Sequence, residues 1–243
     1  LRFKTIALVI LILATACGPK PDLRAPTDGS PKAIWDTYLQ RLTIGRSVAL
    51  KGSLKIISSK TINCDFEAFY INPDTFNFTA KGPLGVGSVK VILLGDSGYV
   101  ENSKDKSLTA FAKSDYIYIG DMGSQISVAN ILQALFLEHP ECESILDGQE
   151  NESLRYLCES LESQTQLLIS KENCLPQQQM IATDSEIMTV DYFRWKMFNK
   201  NRIYPTKIVM ESNLSQDRLI FKIDQLYTNT KISLSLFQKP SAN

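Results

Sequence analysis

Apolar positions recur along the chain with changing periods, and each period marks an element. Ile34, Trp35, Tyr38, Leu39 and Leu42 fall three and four apart behind Ser30-Pro31. This spacing predicts a helix with a serine cap and a proline in its first turn, ending near Gly45. From Ser47 the period becomes two. Val48–Ile56, Ile62–Ile71 and Phe76–Ala80 alternate, separated by Ser58-Ser59-Lys60 and Asn72-Pro73-Asp74, and read as three strands. Val89-Lys90-Val91-Ile92-Leu93-Leu94 and Tyr99-Val100 flank Gly95-Asp96-Ser97-Gly98, where glycines admit positive φ and the chain reverses as a β-hairpin. Leu108–Phe111 and Tyr116–Ile119 complete a first meander of about seven strands.

The helical period returns at Gln125–Glu138, with Val128, Ile131, Leu132, Leu135 and Phe136 on one stripe, Ser127 as the cap and Pro140 as the stop. Glu141–Asn173 alternates weakly, around Leu154–Leu157 and Leu167–Ile169. Its Asp147, Glu150 and Glu152 lack the spacing of a calcium loop and read as solvated surface. Met188–Phe198, Thr206–Glu211, Arg218–Leu226 and Thr230–Phe237 alternate again. Strands in this number with two clear helices predict a mainly β (α+β) fold in which both helices lie across one antiparallel sheet.

The N-terminus carries an uninterrupted apolar run. Arg2 and Lys4 precede Ile6–Leu13, and small residues Ala14-Thr15-Ala16 lead to Cys17. The run is too short to span a bilayer and reads as a targeting segment. It suits either an ordinary cleaved secretion signal or terminal anchor, or a bacterial lipobox with Cys17 at the cleavage point. Resemblance to bacterial lipoproteins implies cleavage between Ala16 and Cys17, a diacylglycerol on Cys17 and permanent membrane attachment. Ala14 stands where leucine is commonest in a lipobox. Gly18 is not the aspartate that marks inner-membrane retention, which points to the outer membrane, facing the periplasm. Gly18–Gly29, with Pro19, Pro21 and Pro26, reads as a tether reaching about 35–40 Å at about 3 Å per residue.

A chain of 243 residues, 44% of them hydrophobic, can bury one sizeable core. Its 26 basic and 26 acidic residues leave no excess charge, which argues against a nucleic-acid partner. Gly95-Asp96-Ser97-Gly98 superficially resembles the nucleophile turn of chymotrypsin-like proteases, but the single histidine, His139, lies downstream of it beside Pro140. Gly-x-Ser-x-Gly, Walker, zinc and dinucleotide patterns are absent, so neither catalysis nor a cofactor or metal is expected. Cys64, Cys142, Cys158 and Cys174 remain besides Cys17. In an oxidising compartment they predict one or two disulfides with the pairing open, against buried free thiols, notably at Cys64 on its alternating strand.

Pro83-Leu84-Gly85, the β-branched strand after it, the Asp-Ser turn and the following strand ending in Asn102 resemble the LolA/LolB-like lipoprotein-sorting family. Pro205-Thr206-Lys207 opening a late strand and Leu236-Phe237 near the end are similar to it again. The likeness runs from about Ala33 to Pro240 and is poor between 141 and 180. It implies a signal peptide over 1–16, a lipidated tether over 17–30, and over 31–240 a strongly curved antiparallel sheet, or half-barrel, with helices covering its concave face. It further implies an apolar trough of about 300–1,000 Å³ for acyl chains or lipoproteins handed over by a periplasmic carrier protein. Candidate lining residues are Trp35, Leu39, Phe76, Phe78, Val91, Leu93, Ile131 and Leu135, each of which also suits plain core packing. The other reading is an interaction lipoprotein that binds a protein partner along a sheet edge.

Overall fold

The computed structural model describes residues 23–42, 47–71, 75–83, 87–104, 106–113, 115–118, 125–137, 144–150, 152–159, 163–184, 186–199, 202–214 and 217–238. Helix α1 (Pro31–Leu42) precedes strands β1 (Ser47–Ile57), β2 (Thr61–Ile71), β3 (Thr75–Lys81), β4 (Ser88–Leu94), β5 (Ser97–Asn102) and β6 (Ser107–Ala112). Short strands β7 (Tyr116–Tyr118) and β8 (Gln125–Ser127) lead into helix α2 (Val128–Phe136). Strands β9 (Ser144–Glu150), β10 (Ser153–Glu159), β11 (Gln164–Ser170), β12 (Pro176–Ala182), β13 (Ile187–Asn199), β14 (Arg202–Ser212) and β15 (Arg218–Thr228) follow, then a 3-10 turn at Leu234–Phe237.

Thirteen strands form one antiparallel sheet in the order β6-β5-β4-β3-β2-β1-β15-β14-β13-β12-β11-β10-β9. Two meanders are thus joined where the first strand meets the last, and the curved sheet stays unclosed. The alternation read in the sequence sets its faces. Leu54, Phe66, Phe78 and Phe221 point into one core with Tyr70, Tyr156, Val190 and Ile208. Phe66 stacks on Phe78 at 5.7 Å and meets Phe221 edge-on at 5.4 Å, bridging strands three apart in the order β3-β2-β1-β15.

The connectivity places the second helix. After β6 at one edge the chain must reach β9 at the other, and α2 makes that crossing over the concave face. Phe136 stacks on Tyr70 at 4.5 Å and meets Phe76 edge-on at 5.9 Å. On α1, Ile34, Tyr38 and Leu42 are buried one turn apart, and Trp35 lies 4.7 Å from the Tyr156 ring. Both helices therefore cover the hollow, as expected.

Four expectations are corrected. The seventh strand leaves the first meander: the turn closed by Asp115 N–H donating to Ala112 O redirects β7 to pair with β8. Consequently α2 begins at Val128 rather than Gln125, since Gln125–Ser127 is strand. The alternating Thr230–Phe237 is not a strand, because both sides of β15 are already taken by β1 and β14. Asn229, at φ 53°, turns the chain away, and the 3-10 turn packs on the convex face, where the Asn77 amide donates to Leu236 O and Phe237 is buried. The long tether is shortened: Ala25 N–H donates to Glu172 O at 2.9 Å, and Arg41 donates to the carbonyls of Leu23, Arg24 and Asn173, so the chain is held from Leu23 onward.

Candidate functional site

The hollow is lined where α2 faces β3 and β4. Phe76, Phe78 and Ala80 on β3 stand opposite Leu93, Val91 and Val89 on β4 in register. Val128 and Ile131 come down from α2, and Ile117 enters from β7. Phe76, Phe78, Ala80, Val89, Val91, Ile117, Val128 and Ile131 enclose a pocket whose lining side chains are all apolar. Its volume is about 10 Å³, room for about one water-sized sphere. Among the described residues, α2 covers this hollow. The reason is the crossing chain itself, whose helix buries Val128, Ile131, Leu132, Leu135 and Phe136 in the space the sheet encloses.

Four of the candidate lining residues come together in this pocket: Phe76, Phe78, Val91 and Ile131. Leu93 and Leu135 are fully buried in the surrounding core. Trp35 packs at its margin against Tyr38 and Tyr156. Leu39 does not face the hollow, being 44% exposed, because it sits about 100° around the helix from buried Tyr38. Ala80, Val89, Ile117 and Val128 were not among the candidate lining residues. Ala80 and Val89 continue the period-two rows of Phe76-Phe78 and Val91-Leu93, a signal that was available. Ile117 required knowing that β7 folds back.

Polar groups fasten α2 to the second meander. Ser127 accepts from Asn130 N–H as the helix cap, as its sequence predicts, and Leu137 ends the helix at φ 52°. The Asn130 amide donates to Glu186 Oε2 at 2.9 Å, both residues being buried. Tyr204 donates to Leu135 O. Tyr192 lies 2.6 Å from Gln179 Oε1 and 3.3 Å from Ala134 O, which competes for its one hydrogen. Gln179 Nε2 has no partner in this orientation; a half-turn of the amide would let it donate to Tyr192 and free the phenol for Ala134. Burial pushes the Tyr192 and Tyr204 phenols well above their ordinary range, so both remain neutral donors. Burial, then Cys174, does the same for Tyr156, which donates to Pro31 O at 2.7 Å and fixes the start of α1.

The cysteines divide. Cys64 is a buried free thiol on β2, donating to Leu54 O at 3.5 Å across the ladder, and Cys174 is a buried free thiol in the turn before β12. Two disulfides from the four candidates are therefore ruled out. Cys158 is disulfide-bonded, with its partner outside the described residues. Cys17, Cys142 and His139 also lie outside them. In Gly95-Asp96-Ser97-Gly98 the β4–β5 hairpin turn is Gly95-Asp96, with Gly95 at φ 63°, and Ser97 and Gly98 already pair with Leu94 and Leu93 as the start of β5. No group of three metal-ligating side chains occurs among the described residues.

No family model and no curated protein matches this sequence. Solved structures do match its fold. A LolA superfamily protein from Nitrosomonas europaea aligns with TM-score 0.60 at 12% identity, covering 86% of this chain and 97% of that one. A DUF1329 family protein from Desulfovibrio piger gives 0.59 at 11%, covering 85% and 96%. An outer membrane lipoprotein-sorting protein domain from Vibrio parahaemolyticus gives 0.57 at 8%, covering 84% and 93%. An unclosed curved sheet, with helices on its concave side and an apolar pocket beneath one of them, gives this chain the LolA/LolB-like fold.

Proposed function

We propose that the protein is a lipid-anchored lipoprotein of the bacterial envelope that takes acyl chains, or the acylated end of another lipoprotein, between α2 and strands β3 and β4. Cleavage after Ala16 and acylation of Cys17 would supply the anchor, and lipoprotein localisation to the outer membrane would be the task. The observation that most supports this reading is the wholly apolar pocket under a single short helix. An acyl chain is held by apolar area alone, at about 0.8 kcal/mol per buried methylene, and needs no catalytic group. At about 10 Å³ the pocket would be the closed state of such a site. Entry requires α2 to lift away from Phe76, Phe78 and Val91.

The test uses the chain from Gly18, which omits the apolar leader and retains all the described residues. Mass spectrometry of its organic extract is expected to find phospholipid or acylated peptide, and a fluorescent fatty acid is expected to bind saturably. Ile131→Trp should fill the pocket and weaken that binding at least tenfold. A clean extract with no saturable binding in the parent chain would sink the acyl reading. Depletion in the host should strand other lipoproteins in the inner membrane.

One observation favours a second reading, an interaction lipoprotein. Strand β6 ends the sheet, exposed at most positions, and its outer side has no neighbouring strand in the sheet. A partner that protects the β6 amides from exchange, together with a clean lipid extract, would select it.

A further inference from the structure

The chain is neutral overall, but its charge is not spread evenly. Between Asp191 and Glu211 stand Arg194, Lys196, Lys200, Arg202 and Lys207, with no acidic residue among them. This segment is the β13–β14 hairpin. Its basic groups are interleaved with aromatic ones, and the described side chains show how they are presented. Phe193 is 42% exposed, and the Lys207 ammonium sits over its ring at 5.0 Å. Lys196 lies 5.5 Å from the Phe198 ring. Arg194 and Lys196 are exposed, and neither makes an ion pair with a described residue.

The backbone sets the hairpin apart. Strand β12 pairs with β13 from Ile187 to Asp191, and beyond that point β13 runs on without a partner on that side among the described residues. Arg194 takes φ 57°, and the Thr206 hydroxyl donates to its carbonyl at 2.6 Å. Pro205, which has no N–H to give, is tolerated inside the sheet beside this break.

The register also fixes which end of the sheet this is. Gln178 pairs with Asp191, so the overhanging half of β13 extends past the start of β12 and the turn before it. That turn holds the N-terminal segment, through Ala25 N–H to Glu172 O and Arg41 to Asn173 O. Cys17 and Leu23 are six positions apart in the sequence, at most about 22 Å of chain. A chain anchored at Cys17 would thus bring this end of the sheet to the membrane first.

We propose that the β13–β14 hairpin docks on the surface of an anionic phospholipid bilayer, with Arg194, Lys196 and Lys207 meeting the headgroups and Phe193 entering the interface. Exposed aromatic side chains between cations suit a lipid–water boundary, where the ring sits at headgroup depth and the charge stays wet. Each basic side chain near such a surface is worth about a fivefold gain in partition. Docking would hold the covered hollow beside the lipid from which an acyl chain is taken or to which it is given. The orientation step rests on the anchor reading of Cys17; the hairpin's charge and exposure do not.

The experiment uses the chain from Gly18, which carries no acyl anchor, in flotation with vesicles of phosphatidylethanolamine and phosphatidylglycerol at three to one, and with pure phosphatidylcholine. Binding to the anionic vesicles alone is expected, with a blue shift of tryptophan fluorescence. Arg194→Glu with Lys196→Glu should lower the partition at least about 25-fold, and Phe193→Ser should lower it separately; all three positions are exposed, so circular dichroism should be unchanged. Equal binding by parent and variants overturns the proposal, as does binding of neither. Retention on polyglutamate without vesicle binding also overturns it and assigns the face to an acidic protein. The mass of Cys17 in the full chain from membranes reports the anchor independently.

Discussion

At Gly52 the register of β1 against β15 shifts, and a Cβ built there would lie 1.9 Å from Lys222 O. The obstruction is backbone, so it cannot rotate aside, and Gly52→Ala must push apart the pair that joins the two meanders. We expect a loss of about 3 kcal/mol, read as a lower urea midpoint. At Cys64, burial and then the Asp65 carboxylate push the thiol from 9.0 up to about 11. The unfolded thiol ionises first, so its contribution to stability is whole below pH 9 and lost as pH rises through about 11. The melting temperature should fall across that window, and less steeply in Cys64→Ala. Cys64 was legible as a candidate free thiol because it falls on the inward period of β2. The exposure of Leu39 was not, because a helical stripe read from sequence is broad and the sheet covers only part of it.

Helix α2 shows what an element owes to its surroundings. Nine residues are too few for a stable isolated helix, so its stability comes from apolar contact and from its polar ties to Glu186, Tyr192 and Tyr204. Asn130→Ala would leave the buried Glu186 carboxyl without its described donor, at a cost of about 2–3 kcal/mol. Tyr204→Phe removes one tie at the other end, at about 1–2 kcal/mol. Both should speed amide exchange in α2 more than in β1 and β15. The stripe of α2, its serine cap and most strands could be read in advance. Strand β12 could not, because Gln177, Gln178 and Gln179 carry no apolar alternation although Gln179 is fully buried.

Across the whole molecule, two meanders share one aromatic core, while the hollow of the sheet is filled from above by a helix the chain places there in crossing between edges. The closed pocket can be enlarged without touching the sheet's hydrogen bonds. Ile131→Ala should destabilise the protein by about 2–4 kcal/mol and, in the same protein, admit benzene or xenon to the pocket, detected as a rise in melting temperature with ligand. If the pocket instead collapses, destabilisation will occur without any ligand effect, and the roof is then too compliant to frame a cavity.

The order of apolar and polar residues determined most of the strands, both helices and the alternation that gives the sheet a greasy face, because these depend on neighbours a few positions apart. Tertiary structure decided which strands became edges, that β7 would leave the sheet, that the last alternating stretch would find no strand to pair with, and that α2 would cover the hollow between β3 and β4. Those outcomes turn on pairings between residues far apart in the chain, such as β1 with β15, whose competition for a limited number of strand edges no local period records.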